Sequence, residues 1–154
     1  MDPAPRPFEE LPADAELGLP VPFGCGTGEP GAPVSARELD KRRVTQCALS
    51  RICGVCGSGL GRPIAFLGSR READRNAFHF PPAHLECADR LLSVYAVVDV
   101  PVLGQRSPVA EWVLVSTAGF EFVRAAKEDE DRRPTFQPNS LLESRTFSPS
   151  RSFL

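Results

Sequence analysis

The chain has 154 residues, 42% of them hydrophobic, with 16 prolines, 12 glycines and a formal net charge of −2. This suffices for one modest domain with irregular flanks, and no stretch approaches the roughly 18–20 apolar residues of a membrane span. The charge is unevenly spread: residues 1–40 carry two basic and eight acidic side chains, residues 41–90 nine and four, and residues 91–154 seven and eight.

The first segment, MDPAPRPFEELPADAELG, is acidic and proline-rich, without the basic start or apolar centre of a secretory signal, which predicts a cytoplasmic protein. Residues 1–33 read as an extended Pro/Gly-rich arm, whose Leu19, Val21 and Phe23 can lie across a domain. A first helix is predicted from Ser35 through ARELDKRRVTQCALS, with Ser35 and Glu38 as a capping box, ending before Gly54 and Gly57. RPIAFLGS predicts a strand through Ile64–Leu67, the polar run Arg70–Arg75 a turn, and NAFHF a returning strand with Phe78 and Phe80 on one face and His79 on the other. Pro81-Pro82 break that strand. A second helix then covers Ala83 to about Tyr95, with Leu85, Ala88, Leu92 and Tyr95 at core-facing spacing.

VVDVPVL contains Pro101 and reads as a broken or edge strand. EWVLVSTAGFEFVRA predicts a hairpin turning at Thr117-Ala118-Gly119, with Phe120 and Phe122 sharing a face. From Ala126 the chain is charged, then Ser/Pro-rich, and reads as a mobile tail in which Phe136, Leu141 and Leu142 can dock. The predicted organisation is an arm (1–33), a zinc-binding domain with a C-terminal hairpin (34–125) and a tail (126–154).

Two motifs concentrate the chemistry. In RICGVCGSGL, Cys53 and Cys56 are separated by two residues, so both can face one ion while Gly54 and Gly57 let the backbone turn around the sulfurs. In PPAHLECA, His84 and Cys87 are three apart and share one face of a helix. The 27 residues between the pairs leave room for a hairpin. Knuckle, hairpin and ligand-bearing helix in that order predict an α+β, treble-clef-like zinc module, with the ligand atoms within roughly 4 Å of one another. Three cysteines and one histidine form a closed, thiolate-rich set suited to zinc. Cys47, six residues before Cys53, and His79 are the available substitute ligands, whereas Cys25 has no partner at ligand spacing. A disulfide framework is disfavoured, since five cysteines are an odd number in a reducing compartment.

RICGVCGSGLGRPIAFLG followed by PPAHLECA resembles a group of uncharacterised actinobacterial and actinophage proteins. In that group a Cys-x-x-Cys-Gly-x-x-Leu-Gly segment is followed by an apolar strand and a Pro-Pro-x-His-x-x-Cys-Ala segment. LGLPVPFG and EWVLVSTAGFEFVRA are similar to its flanking parts, so the likeness spans about residues 18–125 and is strongest over 51–88. It implies metal positions at Cys53, Cys56, His84 and Cys87, and brings no activity with it. This chain departs after Cys87, reading SVYAVVDV where relatives often have a further Cys-Pro-Phe.

These readings favour a non-catalytic module whose zinc is structural. Its basic segment, with Arg42, Arg43, Arg70 and Arg71 as candidate contacts, suits nucleic acid, and its proline-rich arms suit a protein partner. The acidic Asp2, Glu9, Glu10, Asp14 and Glu16 can fold back on that segment. Two alternatives stay open: a treble-clef nuclease-like enzyme using His79, and a redox protein using Cys53 and Cys56. The nuclease reading requires His79 to face an acidic neighbour or a cleft.

Overall fold

The structure, a computed structural model, describes residues 8–25 and 34–148. The outer parts of the expected arm (1–7 and 26–33) and the end of the expected tail (149–154) lie outside the described residues.

The organising element is β1 (Ile64–Ser69), an apolar run buried almost throughout. Its period-2 alternation divides the core. Ala65 and Leu67 belong to one buried cluster, with Ala88, Leu91, Leu92 and Tyr95 of helix α3 (Leu85–Tyr95). Ile64 and Phe66 belong to another, with Val44 of helix α1 (Lys41–Ser50), Phe78 and Phe136. The same division runs along β3 (Trp112–Thr117), where Trp112 and Leu114 face the α3 side and Val113 and Val115 the α1 side. Each fully buried large side chain contributes about 1.5–3 kcal/mol, so this central pair carries much of the fold. Phe66, Phe78, Phe120, Phe122 and Phe136 form a connected aromatic cluster with centroid spacings of 5.1–5.9 Å.

The larger sheet has the order β2-β1-β3-β6, all antiparallel, with β2 at Ala83–His84 and β6 at Leu141–Phe147. A second sheet pairs β4 (Phe120–Val123) with β5 (Thr135–Pro138). The fold is therefore α+β, and among the described residues no helix is long and apolar enough to cross a membrane.

Several expected elements differ. Helix α1 begins at Lys41, capped by Asp40, whose carboxylate accepts the Arg43 N–H at 3.0 Å, and not at Ser35. The backbone between is claimed by distant groups: Asp14 accepts the Ala36 N–H at 2.7 Å, and the N–H groups of Leu103 and Gly104 donate to the carbonyls of Ala36 and Arg37. The run Arg70–Arg75 is not a turn but helix α2, with Ser69 as its cap and Glu72 completing a capping box. The NAFHF segment is not a strand. Phe78 makes only an isolated bridge to Phe136, and β1 takes β2 and β3 as partners.

The hairpin expected across Thr117-Ala118-Gly119 does not close. β3 pairs with β6 and β4 with β5, so Trp112–Val123 and Thr135–Phe147 run side by side as a bent two-stranded ribbon. At the bend, Ala118 N–H donates to Ser140 O and Asn139 N–H to Gly119 O, while the Thr117 hydroxyl accepts from Ser140 N. The segment read as a mobile tail thus supplies two strands, anchored by the fully buried Phe136.

The described part of the arm packs down. Val21 is buried, Tyr95 Oη donates to Pro20 O at 2.6 Å, and Phe23 N and Gly24 N donate to Val55 O and Gly54 O. The arm therefore reaches the loop that carries the first two cysteines.

Candidate metal centre

The knuckle starts from Cys53, which is fully buried. Ile52 and Gly59 bridge, Cys53 N donates to Ser58 O at 2.7 Å, and Gly57 N returns to Cys53 O at 2.9 Å. Gly57 has φ +79°, which a residue with a Cβ rarely adopts. The turn aims backbone donors at the Cys53 sulfur: Val55 N at 3.3 Å, Cys56 N at 3.5 Å and, from the other half of the site, His84 N at 3.3 Å.

Pro81-Pro82 dock the second half onto the first. Gly54 N donates to Pro82 O at 2.7 Å, and a Cβ on Gly54 would lie 2.6 Å from Pro81 Cγ. His84 then closes β2 opposite Ile64 and is the N-cap of α3. It lies one residue before the helix in which the spacing had placed it, with Cys87 in the first turn. The helix N-terminus favours a thiolate there.

The ligand atoms of Cys53, Cys56, His84 and Cys87 all lie within 4.8 Å of one another, somewhat wider than the spacing expected from bond lengths alone. His84 Nδ1 is 3.4 Å from Cys56 Sγ and 3.7 Å from Cys87 Sγ. Its other nitrogen, Nε2, is 2.8 Å from Gly59 O. A carbonyl can only accept, so Nε2 carries the proton and the Nδ1 lone pair faces the sulfurs. Ser58 Oγ, 3.1 Å from Cys56 Sγ, adds a hydroxyl beside that sulfur.

The electrostatics of the group are set by three thiols in contact. Burial opposes ionisation of Cys53, but hydrogen bonds from Cys56, Cys87 and the backbone of Cys56 and His84 outweigh it and hold its thiol below the ordinary range. Hydrogen bonding with Cys53 and Cys56, followed by burial, drives the Cys87 thiol up. Three adjacent sulfurs cannot all ionise unless a positive ion replaces their protons. With one, the set is a closed four-ligand site. Four groups of these types at these distances can hold a metal ion.

Neither substitute ligand joins the group. Cys47 is buried, its thiol pushed up to about 12 by burial and then by the Cys53 charge. Its backbone carbonyl receives the Arg51 and Ile52 N–H groups at the end of α1. Cys25 is likewise buried, with its thiol raised by burial. His79 is buried elsewhere, with Nδ1 3.2 Å from Pro134 O and Nε2 3.4 Å from Asp131 Oδ2. Its acidic neighbour sits in the KEDEDRRP run that reads as solvated tail, and the later Phe136 anchor was the one signal that this run is held.

The arginine quartet divides. Arg43 lies 4.4 Å over the Phe23 ring and donates to Phe23 O, and Arg70 pairs with Glu111 at 3.0 Å. Arg42 and Arg71 are exposed and have no ion pair among the described residues. Comparison with family models, curated proteins and solved structures finds no match to this chain.

Proposed function

We propose that this protein is a non-catalytic zinc-binding module. One structural zinc would be held by the sulfurs of Cys53, Cys56 and Cys87 and by Nδ1 of His84. The observation that carries this reading is the convergence of those four atoms with the His84 tautomer set by Gly59. Three thiolates and an imidazole form a soft set that selects zinc among common divalent ions, and four protein ligands leave no open position for a reacting water.

In this reading the metal substitutes for core. It ties the knuckle to α3, and the arm is in turn bonded to the knuckle through Phe23 and Gly24. Zinc binding of this kind contributes roughly 10–16 kcal/mol, which is folding energy. The module is treble-clef-like in its knuckle and ligand-bearing helix, although β1 pairs outside the expected hairpin. The proposed kinship with the actinobacterial and actinophage group rests on the same four positions. The exposed Arg42 and Arg71 supply a basic surface for nucleic acid, and the ribbon and arm offer surface to a protein partner.

The test is metal analysis of protein purified without chelator. About one zinc per chain is expected, and content near zero removes the reading.

One observation favours the enzyme alternative: His79 does have an acidic neighbour, Asp131, and does line a cleft. Against it, Nδ1 is bonded to Pro134 O and Nε2 faces Asp131 at 3.4 Å, so both ring nitrogens are turned toward the protein's own groups, whereas a general base must reach a substrate proton. The redox alternative leaves His84 and Cys87 unexplained.

A further inference from the structure

We propose that the cleft beside His79 binds a small organic oxyanion, a carboxylate or phosphate carried on a compact apolar body. The cleft has a volume of about 240 Å³ and lies between the start of α1 and the segment Arg132–Pro134. Leu39, Val44 and Pro134 form its apolar wall. Its other lining side chains are His79 and three cations, Lys41, Arg132 and Arg133, with no carboxylate among them.

Arg133 is paired with Asp131 at 2.8 Å, but the other two cations are not neutralised among the described residues. Lys41 and Arg132 are exposed and have no ion pair among the described residues. Two carboxylates act on Arg133 and His79, and both are already committed. Glu72 accepts from His79 N at 2.9 Å and Gln105 Nε2 at 2.6 Å. The other is Asp131. It accepts from Arg133 Nε at 3.0 Å and Arg133 Nη2 at 2.8 Å, and also faces Arg106 at 3.6 Å and His79 at 3.4 Å. Arg133 is further fixed by Nη1 donating to Gly104 O at 2.6 Å. It is therefore a fixed, charge-paired wall, while Lys41 and Arg132 line the cleft with no ion pair among the described residues. Lys41 also opens α1, a ten-residue helix whose N-terminus adds positive potential, and the capping Asp40 is turned to the Arg43 N–H. An oxyanion satisfies the cations through charge-assisted bonds, and an apolar body satisfies the opposite wall. The volume restricts the ligand to a small molecule.

The chain's two histidines make the test direct, because one lies in this cleft and the other at the metal centre. Zinc-loaded full-length protein is titrated with benzoate, phenyl phosphate and, as the neutral control, benzyl alcohol. Histidine ring resonances are followed by NMR, and zinc content is measured in the same samples. Both anions are expected to shift His79 saturably, leave His84 unmoved and outcompete the alcohol. The tighter of the two identifies the preferred head group. Lys41→Ala and Arg132→Ala, both exposed positions, should each weaken binding at least threefold, and together tenfold or more. Absence of a saturable shift with either anion overturns the proposal. So does an equal response to benzyl alcohol, or unchanged affinity in the double variant. None of these outcomes bears on the zinc reading, which the metal content tests separately.

Discussion

His84 Nε2 lies 2.8 Å from the carbonyl oxygen of Gly59, the residue that closes the knuckle carrying Cys53 and Cys56. The histidine of the second ligand pair is thus oriented by the loop of the first. With metal bound, His84 should be held as the Nε2–H tautomer with Nδ1 metallated. Long-range nitrogen–proton NMR of the two histidines checks this. A metallated Nε2 would contradict the geometry, and His84→Ala should cost at least tenfold in metal affinity.

The ligand cysteines and the buried non-ligand cysteines should separate in thermal melts. Cys56→Ser or Cys87→Ala removes a proposed metal ligand, and with it much of the binding energy expected to hold the region 51–95. A loss of cooperative melting, or a fall of more than about 15 °C, is expected. Cys25→Ala instead removes a sulfur that is 3% exposed within the core. It should cost about 1 kcal/mol, a few degrees. Equal melting of Cys25→Ala and Cys87→Ala would overturn the ligand assignment.

What the sequence reveals about this protein depends on how local each determinant is. The ligand spacing is local, so Cys53, Cys56, His84 and Cys87 converge as the motifs imply. The Ser-x-x-Glu capping pattern occurs at Ser35, Ser69 and Ser140, the last of which leads into β6 and not into a helix. The one at Ser35 is overridden, because Asp14 and Leu103 take the backbone of Ala36. The one at Ser69 forms, because Glu72 is also held by His79 N at 2.9 Å and Gln105 Nε2 at 2.6 Å. Nothing within either four-residue window separates the two. The ribbon fails to show for a similar reason. Its returning strand, Thr135–Phe147, has a polar, proline-containing sequence whose pairing is set by distant Trp112–Val123.

Gly54 is the contact point between the two halves of the candidate metal centre. A Cβ there would meet Pro81 Cγ at 2.6 Å and the Phe80 ring at 3.2 Å. Neither is the far end of a flexible chain, so Pro81-Pro82 must move and carry His84 with them. Gly54→Ala should destabilise by about 1–3 kcal/mol and weaken metal binding although no ligand is changed. Competition with a chromophoric chelator measures this. Wild-type affinity in a folded Gly54→Ala protein would show that the two halves are not coupled through this contact.

Asp14 gives a pH dependence with a definite sign. Its carboxylate accepts Ala36 N, Leu17 N and Glu16 N, each at 2.7 Å. The hydrogen bond from Ala36 is the largest influence, and the carboxyl lies below its ordinary value despite the opposing effect of burial. A lowered folded value means stability that is fully present above the unfolded carboxylate range, about 3.9. It is lost as pH falls through the folded value. Asp14→Asn should therefore cost about 1–3 kcal/mol near neutrality, with the gap to wild type shrinking toward acid. Zinc-saturated denaturant melts across pH 3–7 would show it. A gap that widens on acidification would contradict the assignment. Zinc release on acidification, as protons compete with the metal, is common to both proteins and cancels in the comparison.

The last prediction concerns polyanion binding. The sequence offers four arginines, but Arg43 is stacked on Phe23 and bonded to its carbonyl, and Arg70 is paired with Glu111. Two of the acidic residues that could have masked them are also engaged, Asp14 by the backbone of Ala36 and Glu16 by Arg37. Arg42 and Arg71 are then the members of the quartet ready to meet phosphates. Two phosphate contacts imply a log–log salt slope of about −2 on duplex DNA, and binding with little sequence preference. Fluorescence anisotropy with mixed-sequence duplexes at several salt concentrations measures the slope. Arg42→Ala with Arg71→Ala should abolish most of it. A slope near −4 would return Arg43 and Arg70 to the interface. No binding at low salt would remove nucleic acid as a partner and leave the proposed zinc module with protein interaction as its expected role.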